Sequence, residues 1–347
     1  MTALQDVDFA IADPGTLAER AARGGCRLDL ETHPVVTEDG GGLPGLLELL
    51  GQPGLLDGLL RPSGAVLLRG FPLDSIPQFE RVAGSALREV FTENGEHQKL
   101  DASSQVQTPV EFAADQQLLW HNENTFNRFF PTKILFGAAR PAAEGGETPI
   151  VDGRRIYERM DPEMRARFEE HGVMYVRNFS PGLGLDWREV FRVSTRDELE
   201  QRCLEQGVDF EWLDGGERLR TRSVRPAIGP HPATGEPCFF AQPQHFHPSC
   251  LDAETRESMG LLFAEEDFPR HCFFGDGTPL GDDLIEDLVS LYFELETAFP
   301  WQKGDVLVVD NVAAAHGRNP YRGERKLLVA MGDLIAYEVD GTFQLAS

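Results

Sequence analysis

Trp120-His121-Asn122-Glu123 is the stretch around which the chain is organised. On an extended backbone, side chains at i and i+2 share a face. His121 and Glu123 are therefore expected to face one cavity together, with Asn122 turned aside. A His-x-carboxylate pair is an economical half-site for a divalent metal. Taken alone it carries little, because surface histidines near carboxylates are common. A further ligand must come from far along the chain, and His316 stands in a fitting context. The apolar run Val306-Leu307-Val308-Val309 and Asp310-Asn311 precede it, and Ala313-Ala314-Ala315-His316-Gly317-Arg318 follows.

Strand-like text surrounds both halves. Gly64 to Phe71 is a short apolar run bounded by glycines, which reads as a buried strand. Val106 to Phe112, Leu118 to Glu123, Thr132 to Ala138 and Thr148 to Asp152 read as strands, with Gly145-Gly146 as a turn. Further strands are expected over Gly172–Phe179, Leu219–Ala227, Pro237–Ala241, Trp301–Asp310 and Leu327–Ala336. Helical periodicity marks Pro77–Val90, Arg154–His171 with a start at Asp161-Pro162, Arg196–Gln206, Asp252–Ala264 and Asp282–Glu296. Many short strands with Gly and Pro turns predict a mainly β fold with α additions, a barrel or jelly roll. The chain is expected to be a single catalytic domain over 1–347. Residues 1–60 read as an N-terminal helical and loop extension, and 155–215 as a helical insertion or lid over a mouth. No strand-Gly-x-Gly-x-x-Gly-helix unit supports a dinucleotide fold.

Bulk numbers exclude several classes. With 32 basic and 57 acidic residues the formal charge is -25, which argues against nucleic acid or an anionic membrane as partner. The five cysteines, Cys26, Cys203, Cys238, Cys250 and Cys272, are odd in number and form no C-x-x-C, so a reducing compartment is expected. Met1 to Ala10 lacks a basic and apolar leader, and no apolar run reaches membrane length. These features predict a cytoplasmic protein.

Two histidines and one carboxylate form the facial triad of non-heme Fe(II) oxygenases, which leaves positions open for oxygen and a chelating cosubstrate. Such an enzyme needs two electrons to activate oxygen, and a 2-oxo acid supplies them by oxidative decarboxylation. Its distal carboxylate calls for a cation and a hydroxyl donor, and arginine suits it by its bidentate fork. Arg325, nine residues after His316 and past the turn Pro320 to Glu324, would be returned to the metal by a hairpin. Arg318 and Arg322 are its rivals. Thr148 opens another strand.

The motifs resemble a known family. Leu68-Arg69-Gly70-Phe71, Trp120 to Glu123, Gly145-Gly146-Glu147-Thr148-Pro149, His231 to Glu236, Gly275-Asp276-Gly277 and Gly304 to Arg318 occur in the right order over residues 60–335. They are similar to the Fe(II)/2-oxoglutarate-dependent dioxygenases of the taurine dioxygenase and clavaminate synthase superfamily. That resemblance implies a double-stranded β-helix, the cupin-like jelly roll, with helical insertions. By it His121, Glu123 and His316 match the iron ligands, and Thr148 and Arg325 the 2-oxoglutarate site.

Glu123 and the Gly-Gly-Glu-Thr-Pro and Gly-Asp-Gly-Thr-Pro phrases look most like the syringomycin-type amino-acid β-hydroxylases. These act on an amino acid held as a carrier-protein thioester. The implied reaction is hydroxylation of an unactivated C–H of an amino acid in natural-product biosynthesis, with 2-oxoglutarate and O2 converted to succinate and CO2, and a peptidyl carrier protein as partner. Val329 departs from relatives that carry a second arginine there for a free acidic substrate. Ala241 departs where asparagine is usual. Chlorination is disfavoured, because halogenases of this fold replace the carboxylate that Glu123 supplies.

The alternatives are oxidation of a free amino acid or other small molecule to a desaturated or cyclised product, and a non-catalytic metal-binding cupin-like protein. Asn124, Phe126, Arg128 and His97 lie near the metal stretch in sequence and are candidate substrate contacts. His245 and His247 share i, i+2 spacing without a nearby carboxylate, so they read as surface or pocket histidines. Trp301 and Phe299 read as core.

Overall fold

Val306-Leu307-Val308-Val309 and Ala65-Val66-Leu67-Leu68 are unbroken apolar runs because both faces of their strands are covered. In the computed structural model, which describes residues 14–29, 34–92, 104–182, 184, 186–337 and 343–345, they are neighbours in a seven-stranded sheet. Its order is Cys26–Asp29, Val35–Glu38, Ala65–Arg69, Val306–Asp310, Phe129–Arg140, Lys326–Tyr337, Phe343–Leu345. Every pairing is antiparallel except that of Val35–Glu38 with Ala65–Arg69.

Alternation divides these strands between two cores. Val66, Leu68, Leu135, Val306, Val308 and Leu328 face outwards. They pack on the helices Gly42–Leu50, Leu55–Leu60 and Ile76–Ala86. Leu67, Phe136, Leu307 and Val329 face inwards. They stand in one row across the sheet, in register with one another. Leu67 and Leu307 are fully buried, and truncating such a leucine to alanine costs about 2–5 kcal/mol.

A small antiparallel sheet packs on that inner face. It runs Leu118–His121, Ala314–Arg318, Ile150–Asp152. Ala314 and Ile150 join the inner core, while Trp120, Val151 and Ala315 point the other way into a second core. There Trp120 stacks on Tyr292, with ring centroids 5.4 Å apart. The same alternation turns His121 and His316 to the inner side. A four-stranded sheet, Arg270–Phe274, Val173–Phe179, Arg218–Arg225, Asp209–Leu213, flanks this second core. The result is the expected mainly β, jelly-roll architecture with helical additions, its sheets short of a closed barrel.

Several elements differ from expectation. Val106–Phe112 forms no strand. Gln107 alone pairs with Val329, and Pro109, which has no N–H to donate, follows at once. Residues 1–60 were expected to be helix and loop with one strand-like piece at Pro34-Val35-Val36; Val35–Glu38 is that strand, and Cys26–Asp29 extends the main sheet beside it. Within 155–215, Val173–Phe179 is a sheet strand as expected, and Asp209–Leu213 is a further one that was not expected. The helices there form as read: Asp161 caps Pro162–His171, and a Thr195/Glu198 capping box starts Arg196–Gln206. Among the described residues no helix is long and apolar enough to cross a membrane.

Candidate active site

The central strand of the small sheet sets His316 directly opposite His121. Their ring centroids are 4.4 Å apart. Gly317 permits the close approach, since a Cβ there would lie 2.8 Å from the Leu118 carbonyl oxygen. The strand that carries His121 ends at that residue, and Asn124 with φ of 62° turns the chain. Glu123 still faces the histidines' side. One ligand atom from each of His121, Glu123 and His316 lies within 4.8 Å of the others.

The backbone around these residues is held from behind by buried amides. Asn122 turns aside, as expected, and donates to the carbonyls of Asn311 and Ala314 at 2.7 and 3.1 Å. Asn311 in turn bonds both peptide groups of Glu123 and the Pro131 carbonyl. Gln242 donates to the Asn122 carbonyl at 3.1 Å and to Thr125 Oγ1 at 2.8 Å. Gln244 donates to the Trp120 carbonyl. His121 Nδ1 lies 3.0 Å from the Leu119 carbonyl oxygen. A carbonyl can only accept, so Nδ1 carries the proton and Nε2 keeps its lone pair for a metal.

His245 is not a surface residue. Its Nε2 donates to the same Leu119 carbonyl at 2.7 Å, and burial first, then the neighbouring His121, lowers its pKa to about 3. His247 is buried as well, and its Nδ1 lies 2.8 Å from Ser249 Oγ. Sequence reading missed the Gln242–Gln244 support. Its only signal was two glutamines flanking a proline in an otherwise apolar region.

The cluster opens onto a cavity of about 740 Å³. Thr148, Arg318 and Arg325 line it, with Phe136, whose ring lies 5.0 Å from that of His316. No hairpin brings Arg325 here. Past Pro320 the chain leaves the small sheet, pairs Tyr321–Arg322 with Glu144–Gly145, and enters the main sheet at Lys326. Arg325 lies at this crossing. Its Nε donates to the Gly146 carbonyl at 3.2 Å, and its guanidinium lies 5.4 Å from the Tyr321 ring centre. Gly146, at φ 75°, leaves the room, since a Cβ would come 3.1 Å from Arg325 Cδ. Among the described residues no carboxylate forms an ion pair with Arg325. Burial, then the like charge of Arg318, lowers its pKa to about 10, so it stays cationic at neutral pH.

Arg318 is buried, with its fork on the carbonyls of Phe112, Ala113 and Gln116. Arg322 is exposed beside Glu144. Thr148 Oγ1 accepts from Trp301 Nε1 at 3.2 Å, so Trp301 is a support and not core alone.

Other expected contacts lie elsewhere. Phe126 packs against Phe246 with ring centroids 5.4 Å apart, Asn124 accepts from Asn127, and Arg128 donates to the Glu205 carbonyl. None of the three lines the cavity. Proximity in sequence misled, because the chain reverses after Glu123. His97 lies outside the described residues. Val329 belongs to the inner core, one strand from Phe136, and does not line the cavity. Among the described residues, none of 155–215 lines it either; Thr108 to Ala113 form part of its wall.

Two imidazoles and a carboxylate suit Fe(II), and their exposure to a cavity leaves room for further ligands. A jelly roll with such a cluster and a guanidinium on the same cavity defines the class of Fe(II)/2-oxoglutarate-dependent oxygenases. The chain belongs to the TauD/TfdA family of taurine catabolism dioxygenases, whose model matches residues 31–331. It is 35% identical over 279 residues to the dapdiamide synthesis protein DdaC of Enterobacter agglomerans, covering 80% of this chain and 84% of that one. It is 33% identical over 290 residues to a clavaminate synthase-like protein of Arabidopsis thaliana, covering 81% and 84%. Among solved structures, a taurine dioxygenase from Burkholderia xenovorans shares the fold, with a TM-score of 0.52, 16% identity and coverage of 93% and 95%. The protein is an Fe(II)/2-oxoglutarate-dependent dioxygenase that uses O2 and acts on a small molecule.

Proposed function

We propose that residues 1–347 act as one catalytic domain that hydroxylates an unactivated C–H of an amino acid, presented as a carrier-protein thioester, in natural-product biosynthesis. His121, Glu123 and His316 would hold Fe(II), and Arg325 with Thr148 would receive the distal carboxylate of 2-oxoglutarate. The observation that carries this reading is that the three donors and the Arg325 guanidinium line one cavity. Fe(II), when bound, supplies the redox chemistry that couples decarboxylation of 2-oxoglutarate to substrate oxidation. The protein's own part is positional. His121 keeps its proton on Nδ1 through Leu119, which leaves Nε2 as donor. Asn311 fixes the Glu123 backbone. Arg325 offers a cation that burial leaves poorly solvated, so a carboxylate there is bound strongly.

The biosynthetic setting is supported by the likeness to DdaC, named for dapdiamide synthesis. The neutral thioester is supported by the likeness of the Gly-Gly-Glu-Thr-Pro and Gly-Asp-Gly-Thr-Pro phrases to hydroxylases that use carrier-bound amino acids, while Val329, packed in the inner core away from the cavity, offers no cation to a free carboxylate. The test offers one panel of amino acids free and loaded on a peptidyl carrier protein, and follows succinate and hydroxylated product. Coupled turnover on the carrier is expected. Turnover of the free amino acids alone would remove the tethered form and keep the hydroxylase.

A further inference from the structure

The cavity's outer wall is a strap, residues 108–117, slung between the two sheets. At one end Gln107 exchanges both backbone hydrogen bonds with Val329, at 2.8 and 2.9 Å. At the other the strap runs into Leu118 and the His121 strand. In between, Arg318, two residues past His316, grips the carbonyls of Phe112 and Gln116 at 3.1 and 2.8 Å, and that of Ala113. The Tyr321 N–H adds a bond to the Ala114 carbonyl at 2.8 Å. The strap backbone is thus tied to the strand that carries His316.

Its side chains are not so well covered. Val110 and Phe112 line the cavity, yet they remain 43% and 41% exposed. The Arg318 guanidinium lies 5.5 Å from the Phe112 ring centre. Leu118 and Tyr321 extend the apolar surface beside them. Apolar area left open on a fixed wall gains stability when a ligand covers it.

We propose that Val110 and Phe112 determine specificity by taking an apolar side chain of the primary substrate, and that Arg318 is the positioning residue that holds them over the proposed metal site. This rests on reading the cavity as the active site, and it narrows the substrate to an aminoacyl group with an aliphatic or aromatic side chain. Each buried methylene contributes about fourfold in affinity.

The test uses the full chain loaded with Mn(II) and 2-oxoglutarate. Calorimetry measures binding of aminoacyl-pantetheine thioesters of glycine, alanine, norvaline and norleucine. Affinity should climb by about fourfold per methylene in the wild type. The climb should flatten in Phe112→Ala and Val110→Ala, return in Phe112→Leu, and flatten in Arg318→Lys, which keeps the charge but loses the fork. Affinities that ignore side-chain length, or a climb that survives in both alanine variants, overturn the proposal. Failure of the parent reading looks different: thioesters that bind by length but yield no succinate with Fe(II) and O2.

Discussion

Asn311 holds Glu123 by both of its peptide groups. Its Oδ1 accepts from the Glu123 N–H at 2.7 Å, and its Nδ2 donates to the Glu123 carbonyl at 3.0 Å. Asn311 is fully buried, so no water can replace those bonds cheaply. Asn311→Ala should lower stability by about 2–4 kcal/mol and weaken Mn(II) binding by roughly ten- to a hundredfold. Denaturant unfolding and anaerobic calorimetry measure the two. Loss of stability with unchanged metal affinity would make Asn311 a fold residue only.

Arg325 should carry cosubstrate affinity. Removing a charge-assisted, bidentate contact costs about 1.5–3 kcal/mol, or roughly ten- to a hundredfold. Arg325→Ala should raise the KM for 2-oxoglutarate by that factor, with unfolding little changed. The same effect in Arg322→Ala is not expected, because Arg322 is exposed beside Glu144. If Arg322→Ala alone raised the KM, the role would move there.

A pH signature should come from His231 and Asp310, whose Nε2 and Oδ2 are 2.9 Å apart. Burial works against charge on His231, but the Asp310 carboxylate wins and raises its pKa above 6.5. Burial likewise opposes charge on Asp310, and His231 still lowers its pKa below 3.8. The raised histidine contributes stability that is full below 6.5 and is lost as pH rises through its folded pKa. The lowered aspartate contributes stability that is full above 3.8 and is lost as pH falls through its folded pKa. The pair should therefore stabilise most between 3.8 and 6.5. The Tm advantage of wild type over His231→Gln should shrink over the pH range above 6.5. An advantage constant across that range would contradict the ion pair.

Strand periodicity and apolar runs made the jelly roll legible, because burial on both faces leaves a plain signature, as in Val306–Val309. The His121/Glu123/His316 cluster was legible because i, i+2 spacing fixes which way side chains point. Arg325 was found for the wrong geometric reason: a crossing between sheets, not a hairpin, delivers it. What stayed hidden depends on contacts between distant segments. Nothing local in Gln242 or Asn311 says that each will hold the backbone near Glu123. Nothing local in Arg318 says that it will carry residues 112–116. Asn124, Phe126 and Arg128 were misplaced because one left-handed residue, Asn124, turns the chain away from the cavity.

The central claim is that the His121/Glu123/His316 centre transfers an oxygen atom from O2 to an aminoacyl substrate. The most direct measurement is mass spectrometry of the product made under ¹⁸O₂ with Fe(II), 2-oxoglutarate and the carrier-loaded amino acids, alongside His121→Ala. The account predicts a product that has gained one ¹⁸O atom, succinate formed in step with it, and neither from the variant. A product lacking the label, or labelled product formed equally by His121→Ala, would contradict it.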